Sequence, residues 1–222
     1  VNLIEKGGKF LLHGVTGSGK TLVYITAIEK AVERGKSAIF LVPEISLTPQ
    51  ILKQLRARFG DMVAILHSGL SDGERFDEWK RLYRGEAKIA VGARSAIFAP
   101  LSDLGLIVID EEHDSSYISD SNPRYDTKDI AFKRAEMCGA SVVLGSATPS
   151  IETYRSALTG GLTLIELIDR ISSCLTPEVE IIDMTKEIRM GNSGIFSVAL
   201  KEALEQTIER GEQAMIFINR RG

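Results

Sequence analysis

Seven short apolar runs recur up to residue 167: KFLLHG (9–14), SAIFLV (37–42), MVAILH (62–67), KIAVGA (88–93), LGLIVID (104–110), SVVLGSA (141–147) and LTLIEL (162–167). Each is rich in β-branched residues and nearly continuous rather than alternating, the pattern of parallel strands buried on both faces. Helical patterns separate most of them. The first spans 20–34 and stops at Gly35, a residue suited to the left-handed turn that ends a helix. The second spans 49–59 and stops at Gly60. The third opens with Ser71 and Glu74, spaced as a capping box, and ends before Gly85. A fourth begins near Asp126 and ends before Gly139. A fifth follows Thr148 as N-cap and Pro149 at the first helical position, and fades at Gly160 and Gly161. Repeated strand–helix units predict an α/β fold, a parallel sheet with helices on both faces.

After about Cys174 the texture changes. VEIIDM (179–184) reads as a strand, MGNSG (190–194) as a turn, Ser197 as the cap of a helix to Arg210, and AMIFIN (214–219) as another buried strand. We therefore expect a first domain over 1–175 and, over 176–222, a connector and the cut-off start of a second α/β unit. On the third helix, Phe76, Trp79 and Tyr83 fall at i, i+3 and i+7. Such a stripe is expected to face the core, with base stacking as the alternative. Lys80, Arg81 and Arg84 are expected on the solvated face.

Composition narrows the class. The 222 residues are 44% hydrophobic and 26% charged, as in ordinary globular domains. No apolar run approaches a membrane span. A net charge of −3, from 27 basic and 30 acidic residues, excludes a globally basic nucleic-acid module but not a local basic groove. Two distant cysteines suit a reducing, cytoplasmic setting. Val1 is not an initiator methionine and no secretory leader follows it, so we expect a piece excised from a longer protein.

The chemistry is concentrated in three places. GVTGSGKT, Gly14 to Thr21, fits G-x-x-x-x-G-K-[ST] and lies between a predicted strand and helix. The backbone through Gly14, Thr16, Gly17, Ser18 and Gly19 is expected to wrap around phosphates. Lys20 is expected to reach the β and γ phosphates, and the Thr21 hydroxyl to ligate Mg²⁺. Ninety residues later, LGLIVIDEEH delivers acids at the end of a buried strand. Asp110 is expected in the Mg²⁺ shell and Glu111 at the attacking water. His113 reads either as a catalytic or as a hydrogen-bonded structural residue. In SVVLGSATPS, the Ser146 and Thr148 hydroxyls are placed to bond the DEEH side chains, with helix capping an additional role for Thr148. The residues alone thus point to an Mg-nucleotide ATPase.

Taken together, the P-loop, DEEH box and SAT motif resemble the core of superfamily 2 helicases. LVPEISLTPQ (41–50), LHSGLSDGER (66–75), VGARSAIFAP (91–100), LIVIDEEHDSSY (106–117) and FINRRG (217–222) bring the resemblance closer to the bacterial replication-restart helicases, the primosomal protein N′ family. That resemblance implies a RecA-like P-loop NTPase lobe followed by the truncated start of a second one. It implies single-stranded DNA contacts at Pro43, Glu44 and Ser46 and again at Arg94 and Ser95, although a surface salt bridge is an alternative for Arg94. It implies a loop over 114–129, carrying Tyr117, Arg124 and Tyr125, that couples DNA binding to hydrolysis with Ser146 and Thr148; a disordered surface loop is the alternative there. The implied parent is an ATP- and Mg²⁺-dependent 3′→5′ DNA helicase of replication restart. Its partners would be single-stranded and forked DNA, single-stranded DNA-binding protein and other primosome proteins, with no membrane. Its zinc site would lie beyond residue 222, as would the arginines that complete the ATP site, so the isolated chain is expected to hydrolyse ATP very slowly. Other superfamily 2 translocases, or a nucleotide- and DNA-binding module without motor activity, remain alternatives.

Overall fold

The computed structural model of the chain describes residues 7–43, 49–168 and 178–218. Its contacts divide the chain into two units, Val1–Cys174 and Leu175–Gly222.

In the first unit every apolar run becomes a strand. They are β1 (Lys9–Gly14), β2 (Ser37–Leu41), β3 (Val63–Leu66), β4 (Ile89–Gly92), β5 (Leu104–Ile109), β8 (Ser141–Ser146) and β9 (Thr163–Leu167), with β6 (Ile118–Ser119) and β7 (Tyr125–Asp126) forming a separate antiparallel ribbon. The seven strands of the main sheet pair in parallel in the order β3-β4-β2-β5-β8-β1-β9. Every residue of β2, β3, β4, β5 and β8 is buried, which is why their sequences do not alternate. Neighbouring residues nevertheless serve opposite faces: Leu11 and Ile39 belong to one core cluster, Leu12 and Phe40 to the other.

Helices α1 (Lys20–Glu33), α2 (Pro49–Phe59), α3 (Asp72–Tyr83), α4 (Thr127–Cys138) and α5 (Ile151–Leu158) link the strands. The capping box of α3 forms as expected, with Ser71 and Glu74 bonding reciprocally. The start of α5 differs from expectation. Ser150, not Thr148, is the N-cap and accepts from the Thr153 N–H. The reason lies outside the helix: Glu112 accepts from the Ser150 N–H at 2.7 Å and fixes the start there.

The aromatic stripe of α3 does not face the core. Phe76, Trp79 and Tyr83 are 55%, 40% and 68% exposed. Sheet edge β3 takes the opposite side of the helix. Leu82 is buried there, Glu78 accepts from the Ile65 N–H at 3.0 Å, and Arg81 pairs with Glu78 at 2.9 Å. Satisfying an open edge strand with a carboxylate turns the polar face inward and leaves the aromatics outside.

In the second unit, α6 (Met184–Arg189) and α7 (Val198–Glu209) are the regular elements. Ser197 caps α7 as predicted. The strand expected over 179–184 is absent, and Asp183 instead caps α6. The described part of 214–219, through residue 218, is not a strand either, and Met215 and Phe217 stand exposed. No strand occurs among the described residues of this unit, so neither segment has a ladder partner to satisfy its backbone.

Candidate nucleotide-binding and catalytic site

β1 ends at Gly14 and α1 begins at Lys20, so the glycine-rich turn opens directly onto a helix N-terminus. Gly17 and Gly19 hold φ of 82° and 90°, a region costly to any residue with a Cβ. Their N–H groups make no hydrogen bond among the described residues. The Ser18 Oγ is buried without a partner. Lys20 is nearly buried, and its ammonium donates to the Gly14 carbonyl at 2.6 Å, with Val15 O at 3.5 Å. Thr16 is exposed and Thr21 half-buried at the first turn of α1. Unsatisfied donors, a confined cation and the positive end of a helix are together the chemistry that holds a phosphate group.

The strand order sets the acids opposite this loop. Only β8 lies between β1 and β5, so the ends of β1 and β5 are about 10 Å apart at ordinary strand spacing. Asp110 follows β5, and its Oδ1 accepts from the Tyr24 hydroxyl at 2.9 Å. Burial raises the Asp110 carboxyl above its usual range, opposed by the Tyr24 hydrogen bond and by Lys20. Glu111 is likewise raised, by burial first and by the Asp110 charge second. A carboxylate raised in this way is a better proton acceptor, as a group polarising water requires.

Glu111 has φ of 47°, the only positive value among the described non-glycine residues. The chain is pinned on both sides of it. Asp110 N–H donates to Leu41 O at 2.9 Å and Glu112 N–H to Gly145 O at 3.0 Å. Sparsely populated backbone held this way is a hallmark of functional turns.

His113 faces the SAT motif. Its Nδ1 lies 2.8 Å from Ser146 Oγ and 3.6 Å from Glu111 Oε2, while its Nε2 lies 3.5 Å from Thr148 Oγ1. The two hydroxyls thus meet the histidine rather than the acids.

Sequence reasoning missed the groups that hold these residues in place. Tyr24, on α1, needs Gly145 bare: a Cβ there would stand 1.6 Å from its hydroxyl. Glu112 points away from the site and is buried. It accepts from Lys128 Nζ at 2.9 Å, Ser150 N–H at 2.7 Å, Ser150 Oγ at 3.2 Å and Thr153 Oγ1 at 2.9 Å. Burial alone would raise its carboxyl, but Lys128 and the Ser150 amide outweigh that and hold it below the usual range. This cluster clamps the end of β5 to the starts of α4 and α5. Lys128 carried no local signal, and Tyr24 only its place four residues after Lys20.

The remaining candidates are spread further out. Pro43 is buried just beyond β2, and Glu44 and Ser46 lie outside the described residues. Arg94 and exposed Ser95 open a short 3-10 turn, Arg94–Phe98, after β4. Arg94 forms no salt bridge among the described residues: its Nη1 donates to Ser116 O at 3.3 Å and to Ile118 O, and its guanidinium stands 5.8 Å from the Tyr125 ring centroid. The loop over 114–129 carries the β6–β7 ribbon. Tyr117 is 1% exposed, so its ring is closed to base stacking; its hydroxyl donates to Asp110 O at 2.7 Å and its carbonyl accepts from Thr127 Oγ1 at 2.7 Å. Arg124 is exposed and Tyr125 half-buried.

Known proteins resemble this chain in sequence and in fold. The sequence profile of the DEAD/DEAH box helicases matches residues 1–157. Replication restart protein PriA of Bacillus subtilis (strain 168) is 55% identical over 213 residues, which are 96% of this chain and 26% of that protein. The protein of the same name from Synechocystis is 47% identical over 217 residues, again 96% of this chain and 26% of the relative. The chain therefore spans about a quarter of the length of these relatives. Among solved structures, RecG bound to a three-way DNA junction aligns with TM-score 0.59 at 24% identity, over 91% of this chain and 25% of that one. The Pyrococcus furiosus Hef helicase domain aligns with TM-score 0.56 at 23% identity, over 93% and 45%. These structures share its fold, a RecA-like parallel sheet of the P-loop NTPase class.

Proposed function

The chain belongs to the DEAD/DEAH box helicase family, and from that premise we propose that it is the nucleotide-binding lobe of an ATP-driven 3′→5′ DNA helicase that restarts replication. The observation that carries this is the convergence of Gly14–Thr21 and Asp110–Glu111 on one edge of a single parallel sheet. When bound there, Mg-ATP supplies the anhydride bond whose hydrolysis drives movement. The chain's own residues bind and orient it. The N–H groups of Gly17 and Gly19 and the Lys20 ammonium, turned from the Gly14 carbonyl, hold phosphate oxygens. The Thr21 hydroxyl and Asp110 carboxylate suit a hard cation that prefers oxygen. Glu111, raised by burial, orients the water and takes its proton. Ser146 and Thr148 report on this site through His113.

Single-stranded and forked DNA is the polymer we assign, along the ends of β2 and β4, where Pro43, Arg94 and Ser95 lie. Single-stranded DNA-binding protein, other primosome proteins, a zinc site beyond residue 222 and a cytoplasmic setting belong to the proposed parent. Their support is the similarity to proteins named for replication restart. No helix among the described residues is long and apolar enough to cross a membrane.

The 222-residue chain is expected to bind DNA weakly and to unwind nothing, because a motor of this class closes a cleft between two lobes. A net charge of −3 supplies no general attraction. With two or three phosphate contacts, the slope of log K against log salt should be about −1.5 to −2, at about −0.7 per contact on single strands. Fluorescence anisotropy across a salt series and a strand-displacement assay with Mg-ATP check both points. Displacement abolished by Lys20→Ala would mean that this chain is a motor by itself.

A further inference from the structure

A cleft of about 550 Å³ lies beyond the ends of β3 and β4, between α3 and the turn that follows β4. It is within the range of pockets that hold small molecules, about 300–1,000 Å³. It is not the nucleotide site. β4 stands four strand positions from β1, about 20 Å along the same edge of the sheet.

Its lining combines two chemistries. Trp79, Phe98 and Tyr125 supply aromatic surface; Arg75, Arg94 and His67 supply the polar groups. Among the described residues, no aspartate or glutamate lines it. Among the described residues, the acid paired with Arg75 is exposed Asp72 at 4.0 Å, an ion pair too long and wet to neutralise it. Among the described residues, Arg94 spends only Nη1, on the Ser116 and Ile118 carbonyls, leaving its other nitrogens for a ligand. Trp79 and Phe98 are 40% and 53% exposed, unusual for rings of that size. Tyr83, which does not line the cleft, stacks on Trp79 at 5.2 Å and 9° and holds that ring plane in place. Phe98 and Tyr125 meet edge to face at 5.2 Å.

We propose that this cleft takes one unstacked nucleobase of a single strand, packed against Trp79 and Phe98, with the flanking phosphates on Arg75 and Arg94. Aromatic faces beside unopposed arginines match a base joined to phosphates, whereas an apolar protein segment would leave two cations in its footprint without anions. The inference rests on the DNA reading above and adds a base-holding subsite to it. Because Arg94 also holds the Ser116 and Ile118 carbonyls, a strand seated here bears on the segment whose Tyr117 bonds Asp110 O.

Trp79 is the sole tryptophan, so its emission reports this cleft alone. The full chain is titrated at low salt with oligo(dT), with an abasic strand of equal length and with inorganic polyphosphate, following anisotropy of a labelled strand and tryptophan emission together. The expected result is that oligo(dT) and the abasic strand both bind but only oligo(dT) quenches Trp79. Trp79→Ala should weaken oligo(dT) about tenfold, with the abasic strand unaffected and Trp79→Phe intermediate. The mutated ring is exposed and the inward face of α3 is untouched; circular dichroism confirms folding. Binding of oligo(dT) without quenching overturns the cleft and leaves the DNA reading standing. Equal quenching by polyphosphate makes the cleft an anion site and overturns the base. No binding of any strand overturns both.

Discussion

Gly145→Ala is expected to lower folding stability by about 3 kcal/mol, read as a lower urea midpoint with an unchanged slope. The new Cβ would stand 1.6 Å from the Tyr24 hydroxyl oxygen and 2.6 Å from the ring carbon bearing it. Tyr24 has no room to withdraw. It is fully buried on α1, its ring lies 5.6 Å from that of Phe40, and it sits in the cluster with Leu12 and Val143. Overpacking of this kind costs about 1–3 kcal/mol, and displacing the hydroxyl also breaks a hydrogen bond to the Asp110 carboxyl, worth about 1.5–3 kcal/mol. A Tyr24→Phe change removes the closer of the two clashing atoms, the ring carbon at 2.6 Å remaining, so the double variant should lose less than the sum of the two single losses. Strict additivity would show that the two residues do not meet as described.

Lys128→Met is expected to cost about 3 kcal/mol at neutral pH. Its methylene stem is replaced, but the charge opposite Glu112 is lost, and Glu112 has no exposed side-chain surface. Three donors remain, the Ser150 amide and the Ser150 and Thr153 hydroxyls, and they do not neutralise it. The pH dependence carries the signature. The Glu112 carboxyl of the native protein is held below the usual 4.5, so its contribution is present above that value and is lost as the pH falls through its lowered folded pKa. In the variant, protonation relieves an unpaired buried charge. The difference between the two proteins should therefore be largest near pH 7 and shrink below about pH 4. A pH-independent difference in urea midpoints would assign the loss to packing instead of charge.

What could be read from the sequence follows from how local each cause is. The strands of the seven-stranded sheet were legible because burial writes itself into continuous apolar runs, whereas the short β6–β7 ribbon carried no such run. The phosphate loop was legible because its spacing is a local property of one turn. The face of α3 was not. Periodicity at 76, 79 and 83 shows that three aromatics share a face, but it does not say which neighbour that face meets. The answer came from an open strand edge that Glu78 and Arg81 satisfy. The apolar segments at 179–184 and 214–219 failed for a related reason, since a strand exists only with a partner and none is present among the described residues of that unit. Ser150 displaced Thr148 as a cap through Glu112, 38 residues away. The Tyr24–Asp110 bond spans 86 residues, and nothing local announces it. The acids and the lysine of the site were thus visible in the sequence, whereas the groups that hold them at their angles were not.

The central claim is that Lys20 and the turn before it hold the phosphates of a nucleotide. Isothermal titration of the 222-residue chain with Mg-ADP, beside its Lys20→Ala variant, tests it most directly. The account predicts saturable one-to-one binding to the native chain, weakened about 10- to 100-fold when the ammonium is removed, as for loss of hydrogen bonds to a charged group. Equal affinity of the two proteins for Mg-ADP, or no saturable heat from either, would contradict it.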